Sequence, residues 1–207
     1  MPMLRSAAGS SRDRILQAAK SLFASRGYEN TSTVAVARQA GTSESQLMKH
    51  FGSKEGLLEA IFEEAWQRIN AAARAAAAAE SSPAEKLNAL VALILTAFER
   101  DPDLKLLMLL EGRRIRKEGQ MIMLTGGFRE FVRLADSVLE QMRRAGQLRA
   151  GLPVDGVRSA LMGAFEGLQR DQLLARRLGF PARYRSKDVR ALFTAVMAGF
   201  LRPPRRR

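Results

Sequence analysis

Cysteine is absent from this 207-residue chain, and histidine occurs once, as His50. Without thiols there are no disulfides, no thiolate metal sites and no cysteine nucleophile. That composition fits a reducing cytosol, and a cytoplasmic location is expected. A single imidazole leaves no zinc or iron ligand set, so neither a metal nor a cofactor is expected. There is no phosphate-binding glycine loop and no Ser/His/acid set. An enzyme is therefore not expected, and acids such as Glu63-Glu64 read as helix surface. No apolar run approaches the ~20 residues of a membrane span. Met1 to Ser11 is polar and lacks the apolar core of a signal peptide. Sustained alternation of period two is missing as well, which excludes a sheet.

Positive charge, by contrast, is abundant. The formal net charge is +13, a balance that favours a polyanionic partner, either nucleic acid or an anionic surface. An arginine-rich surface with no special partner is the plainer alternative. Hydrophobic residues make up 46% of the chain, enough for a packed core. They recur at three and four rather than two. Ile15, Ala18, Ala19, Leu22 and Phe23 form a first stripe, ended by Gly27. Val36, Ala37 and Ala40 form a second, starting at Thr31 or Ser32. Ser53 can cap a fourth helix carrying Leu57, Leu58, Ile61, Phe62, Ala65 and Ile69, which can run on through Ala71–Ala79. Further helices are expected over 84–99, 103–117, 128–145, 154–177 and 187–201, with Val157, Leu161, Phe165, Leu168 and Leu173 as the stripe of the 154–177 helix. The fold class is all-α with about nine helices. Domains are expected over 1–56 and 57–207, the second ending in a basic tail at Arg205–Arg207.

Gly41 to Phe51 carries the most specific signal. Gly41 can take a positive φ between two helices. Ser43 stands at an N-cap with Gln46 three residues on, the spacing of a capping box. Leu47 and Phe51 share one face. Glu44, Ser45, Gln46, Lys49 and His50 are left for another, and they are types that reach base edges and phosphates in a major groove. Gln46 either reads adenine or returns to the Ser43 N–H. Lys49 and His50 suit phosphate contacts, and Arg38 on the preceding helix reaches the backbone or solvent.

Taken in order, Ile15, Ala18-Ala19, Leu22-Phe23, Arg26-Gly27-Tyr28, Thr31, Ala37, Ala40-Gly41, Ser43, Leu47, His50-Phe51, Ser53-Lys54-Glu55 and Leu57-Leu58 resemble the N-terminal domain of the TetR family, the tetracycline-repressor-like transcriptional regulators. The resemblance covers the first ~65 positions and implies a helix-turn-helix domain followed by a helical ligand-binding and dimerisation domain. It also implies a homodimer on a palindromic DNA operator, most often a repressor, released when a small-molecule effector binds. On this resemblance Thr31 would cap the second helix near a phosphate, Ser43 to His50 would be the recognition helix, and Lys54 would meet the DNA backbone. Met48 stands where the family usually has a phosphate-contacting tyrosine, and Glu44 where a basic or small residue is common.

Beyond position 65 the expectations rest on residue type. Phe98, Met108, Met123, Phe128, Phe131, Met142, Met162 and Phe165 are candidates for the lining of an effector pocket, or for ordinary core. An effector of such a pocket would be largely hydrophobic. Ala160, Gly163, Ala164 and Gly167 make a small-residue face that, with Leu192, Val196 and Phe200, is the expected dimer interface. The alternative function is a DNA-binding protein of the same fold acting without a small-molecule signal, in DNA organisation or through a protein partner.

Overall fold

The computed structural model describes residues 10–112, 114, 124–180 and 182–202. Met123 and the tail at Arg205–Arg207 lie outside them. The described residues form nine α-helices, as the periodicity requires: α1 Ser11–Arg26, α2 Thr33–Gln39, α3 Glu44–Phe51, α4 Lys54–Ala79, α5 Pro83–Arg100, α6 Pro102–Leu110, α7 Gly126–Arg144, α8 Val154–Leu178 and α9 Ser186–Ala198. The one extended pairing among them is an isolated antiparallel bridge between Leu148 and Leu201. No helix of the described residues is long and apolar enough to cross a membrane.

Helices α1 to α6 begin where short polar side chains satisfy free backbone donors. Ser10 and Asp13 form a complete capping box on α1: the Ser10 hydroxyl accepts from Asp13 N at 3.2 Å, and Asp13 accepts from Ser10 N at 3.0 Å. The α2 cap is Ser32, which accepts from Ala35 N at 3.2 Å. Asp101 caps α6, accepting from Leu104 N at 3.0 Å, just before Pro102 at the first helical position.

Two compact units divide these elements. The first holds α1 to α3, α4 as far as Trp66, and the described residues of Asp101–Gly126. Its core contains Ile15, Phe23, Tyr28, Leu47, Leu57 and Phe62, each at most 2% exposed. Within this unit α6 packs on α1. The second carboxylate oxygen of Asp101 accepts from the Lys20 ammonium at 2.5 Å, so the α6 cap is also an ion pair with α1. The remaining part of α4, α5, α7, α8 and α9 make the second unit. Phe165 of α8 stands between Phe98 of α5, at 6.0 Å, and Phe193 of α9, at 5.7 Å edge-on. The buried Asn70 amide donates to Gly127 O at 2.8 Å and ties α4 to the start of α7.

The core stripe of α8 differs from the expected one. Val157, Leu161 and Phe165 are buried, but the stripe continues through Gln169 and Gln172, while Leu168 and Leu173 are half-buried. Steps of four, four, four and three keep a 3.6-residue helix in register with one face, and that face takes the two glutamines whatever their polarity.

Candidate DNA-binding surface

The helix-turn-helix is built by α2, a tight turn and α3. Backbone bonds from Ala40 N to Val36 O at 2.9 Å and from Thr42 N to Ala37 O at 3.0 Å close α2. They require a left-handed residue between, and Gly41 supplies it with φ of 64°. Ser43 then caps α3, its hydroxyl accepting from Gln46 N at 3.2 Å. Gly52, at φ 72°, stops α3 and donates to Met48 O at 2.8 Å. Nothing lies within 4 Å of a side chain added at Gly41. Gly41→Ala is therefore expected to cost only the left-handed backbone penalty, about 1 kcal/mol, read as a lowered thermal midpoint with no change in the folded spectrum.

Leu47 is fully buried, and Val36 and Ala37 of α2 are buried with it. This fixes which face of α3 turns outward. Ser43, Glu44, Ser45, Gln46, Met48, Lys49 and His50 are all exposed, as is Arg38 on α2. The expected DNA-contact residues are thus solvent-exposed, with two exceptions. Lys54 is half-buried: its ammonium lies 4.3 Å from the centre of the Tyr28 ring and donates to Glu29 O at 3.3 Å. Thr31 is 2% exposed. Its hydroxyl donates to Gly27 O at 2.9 Å and to Leu22 O at 3.3 Å, closing the end of α1. Thr31 is therefore not the cap of α2 near a phosphate. Ser32 takes that position, because a side chain turned in towards the α1 carbonyls cannot also reach the α2 donors.

Two side chains on this surface have local partners that sequence reading missed. The Glu44 carboxylate accepts from the Thr33 hydroxyl, linking the first turn of α3 to the first turn of α2. There it also meets the positive end of the α3 dipole. These contacts hold the carboxylate at the junction of α2 and α3. The Gln46 carbonyl oxygen accepts from the Thr42 hydroxyl at 3.3 Å instead of returning to the Ser43 N–H. That arrangement leaves the amide NH2 as the group Gln46 presents outward, a donor suited to base acceptors. The Arg12 guanidinium lies 5.7 Å from the centre of the Phe51 ring and pairs with Glu64 at 3.4 Å, bracing α1 against α3 and α4. The signal for Glu44 and Thr33 lay in two polar residues eleven apart. It becomes readable only once the turn is known to fold α2 back on α3.

Elsewhere the expected clusters separate. Phe98, Phe128, Phe131, Met142 and Phe165 are buried and Met162 is half-buried in the second unit, whereas buried Met108 belongs to the first. On α8 and α9, Ala160, Gly163, Leu192 and Val196 are exposed, and Ala164, Gly167 and Phe200 are half-buried. A methyl group added at Gly163 or Gly167 would meet nothing within 4 Å, so neither glycine is needed for packing inside the chain.

The model for bacterial regulatory proteins of the tetR family matches residues 15–61, the stretch from the first turns of α1 to the first turns of α4. The nucleoid occlusion factor SlmA of Vibrio atlanticus (strain LGP32) is 33% identical over 165 residues, covering 75% of this chain and 80% of that protein. Among solved structures, the fatty acid degradation regulator FadR of Bacillus halodurans superposes with a TM-score of 0.79 at 22% identity, over 98% of this chain and 100% of that one. FadR of Bacillus subtilis in complex with stearoyl-CoA gives 0.78 at 20% identity, over 90% and 95%. These two likenesses establish the fold. The SlmA match reaches far past the helix-turn-helix, through helices that carry no motif, so the shared surface is more than one recurring turn: the chain belongs to the tetR family of bacterial regulatory proteins, transcriptional regulators that bind DNA.

Proposed function

We propose that the chain is a repressor that binds a palindromic operator as a homodimer and leaves it when a small molecule occupies the second unit. The observation that carries this reading is the outward face of α3. Seven exposed polar or flexible positions on either side of a single buried leucine present donors and cations to a groove, on a chain of net charge +13. Dimerisation through α8 and α9 is supported by the open space around Gly163 and Gly167 and by the exposure of Leu192 and Val196. Such a face lets two helices from different copies approach closely. Two recognition helices ~34–36 Å apart would then enter successive major grooves. Release is a population shift. The effector acts only through its differential affinity for the two spacings of the recognition helices. Helix α4, which runs from one unit into the other, and α6, pinned to α1 by Lys20 and Asp101, are the elements proposed to carry that shift.

The nucleoid occlusion factor relative favours a second reading, in which DNA is bound without a small-molecule signal and the chain serves DNA organisation or a protein partner. Both readings are tested by selecting sites from a random duplex pool and titrating salt on the site recovered. A palindrome is expected. Lys49→Ala should weaken binding roughly three- to tenfold and lower the salt slope by about 1. Gln46→Ala should relax preference at one base pair of each half-site. Binding that is indifferent to sequence, or a chain that stays monomeric at micromolar concentration, would overturn the repressor reading.

A further inference from the structure

The first turns of α5 and α8 and the last turns of α7 and α9 line a partly open pocket of about 120 Å³ in the second unit, with Asn88, Thr194 and Ala198 exposed at its rim. Its walls are mainly Leu87, Leu139, Met142, Leu161, Met197 and Phe200. Asn88 and Thr194 are the polar side chains at its lining, and no ionisable side chain is among the lining residues. One side is closed by a strap. The antiparallel bridge of Leu148 with Leu201 brings both leucines to the cavity. Backbone bonds from Arg149 N to Phe200 O at 3.0 Å and from Arg202 N to Gln147 O at 2.8 Å hold the strap in place.

We propose that this cavity is a binding site for a small uncharged molecule that is mostly hydrocarbon, an aromatic ring or a branched alkyl group with at most one hydrogen-bonding function. The size sets the first limit. A dry engineered cavity of ~150 Å³ with similar walls takes up benzene. The chemistry sets the second. An ion would shed part of its hydration there and find no opposite charge among the lining residues. The Thr194 hydroxyl already donates to Arg190 O at 2.9 Å, which leaves its oxygen to accept, while the Asn88 amide can give or take one bond. Met142 and Met197 supply adaptable walls that can close on more than one shape. The site stands apart from the Phe98–Phe165–Phe193 cluster. Of the residues expected to form an effector pocket, it uses Met142. It also takes Phe200, which the sequence assigned to the dimer interface. A molecule seated here lies against α9, the helix whose other side exposes Leu192 and Val196.

The test uses the full chain with 13C-methyl-labelled methionine, titrated with benzene and, as a charged counterpart, benzoate. Benzene is expected to move the Met142 and Met197 methyl resonances saturably and to raise the thermal midpoint, and benzoate to do neither. Ala84→Leu and, separately, Ala198→Leu add bulk to the lining. In whichever of them keeps native methyl dispersion, benzene binding should weaken by roughly tenfold or more. The proposal is overturned if neither methyl shifts saturably, if benzoate binds as well as benzene, or if both filled variants fold and bind benzene like the parent. The readout does not involve DNA, so its failure would leave the repressor reading standing, and the reverse.

Discussion

Leu47→Ala is expected to lower the stability of the first unit by about 2–5 kcal/mol and to abolish specific DNA binding at temperatures where the parent is folded. The size of the effect follows from how little else holds α3. The helix has eight residues, roughly two turns, far below the length at which a helix persists alone in water. Leu47 is its one fully buried side chain, and Phe51 at the other end is only half-buried. The Ser43 cap and the Glu44–Thr33 bond add about 1 kcal/mol each at most, both at an exposed end. Truncation removes the transfer energy of the leucine and leaves a hole beneath the exposed side of α3, and α3 cannot sink to fill it without moving Gln46 and Lys49, the proposed DNA contacts. Urea unfolding of the variant, with Gln46→Ala alongside, separates structure from contact. Gln46→Ala should change stability by no more than about 0.5 kcal/mol yet alter base preference. A loss below ~1 kcal/mol for Leu47→Ala would mean that α3 is anchored elsewhere.

The helix-turn-helix was legible because its determinants are local. Gly41, Ser43, Leu47 and Gly52 each act within four residues of themselves, and a one-dimensional pattern captures that range. What escaped reading is long-range. Thr31 and Ser32 are both good caps in isolation. Only the position of the Leu22 and Gly27 carbonyls decides that Thr31 turns inward. The pairing of Lys20 with Asp101 spans 81 positions and places α6 in the first unit, which no periodicity announces. Residue type alone marks the pocket candidates, and type does not say which side chains converge. Met108 and Met142 are equally suitable on paper, yet they fall in different units, and the cavity is finished by Leu148 and Leu201, from segments without helical pattern.

Gln172→Met is expected to stabilise the second unit by about 1–3 kcal/mol, a sign opposite to that of most core substitutions. Gln172 is 4% exposed on the core stripe of α8, and neither its amide nitrogen nor its carbonyl oxygen has a hydrogen-bond partner among the described residues. Each of those atoms gives up water on folding and finds no replacement among the described residues, at about 1–3 kcal/mol per group. Methionine keeps the length and the unbranched shape, has a similar helix propensity, and brings no donor that must be satisfied. The volume term is therefore small, and the polar term decides the sign. The measurement is the urea midpoint at unchanged slope, so that the shift reports stability and not compactness. A lowered midpoint would show that the amide is satisfied in solution by a bound partner, and Gln172 would then be a recognition group inside the second unit and not a cost borne by its core. The same comparison at Leu168, half-buried one step off the stripe, separates the two outcomes. Leu168→Met conserves volume and should move the midpoint by less than about 1.5 kcal/mol, so a larger shift at Gln172 belongs to its polar atoms and not to the packing of α8.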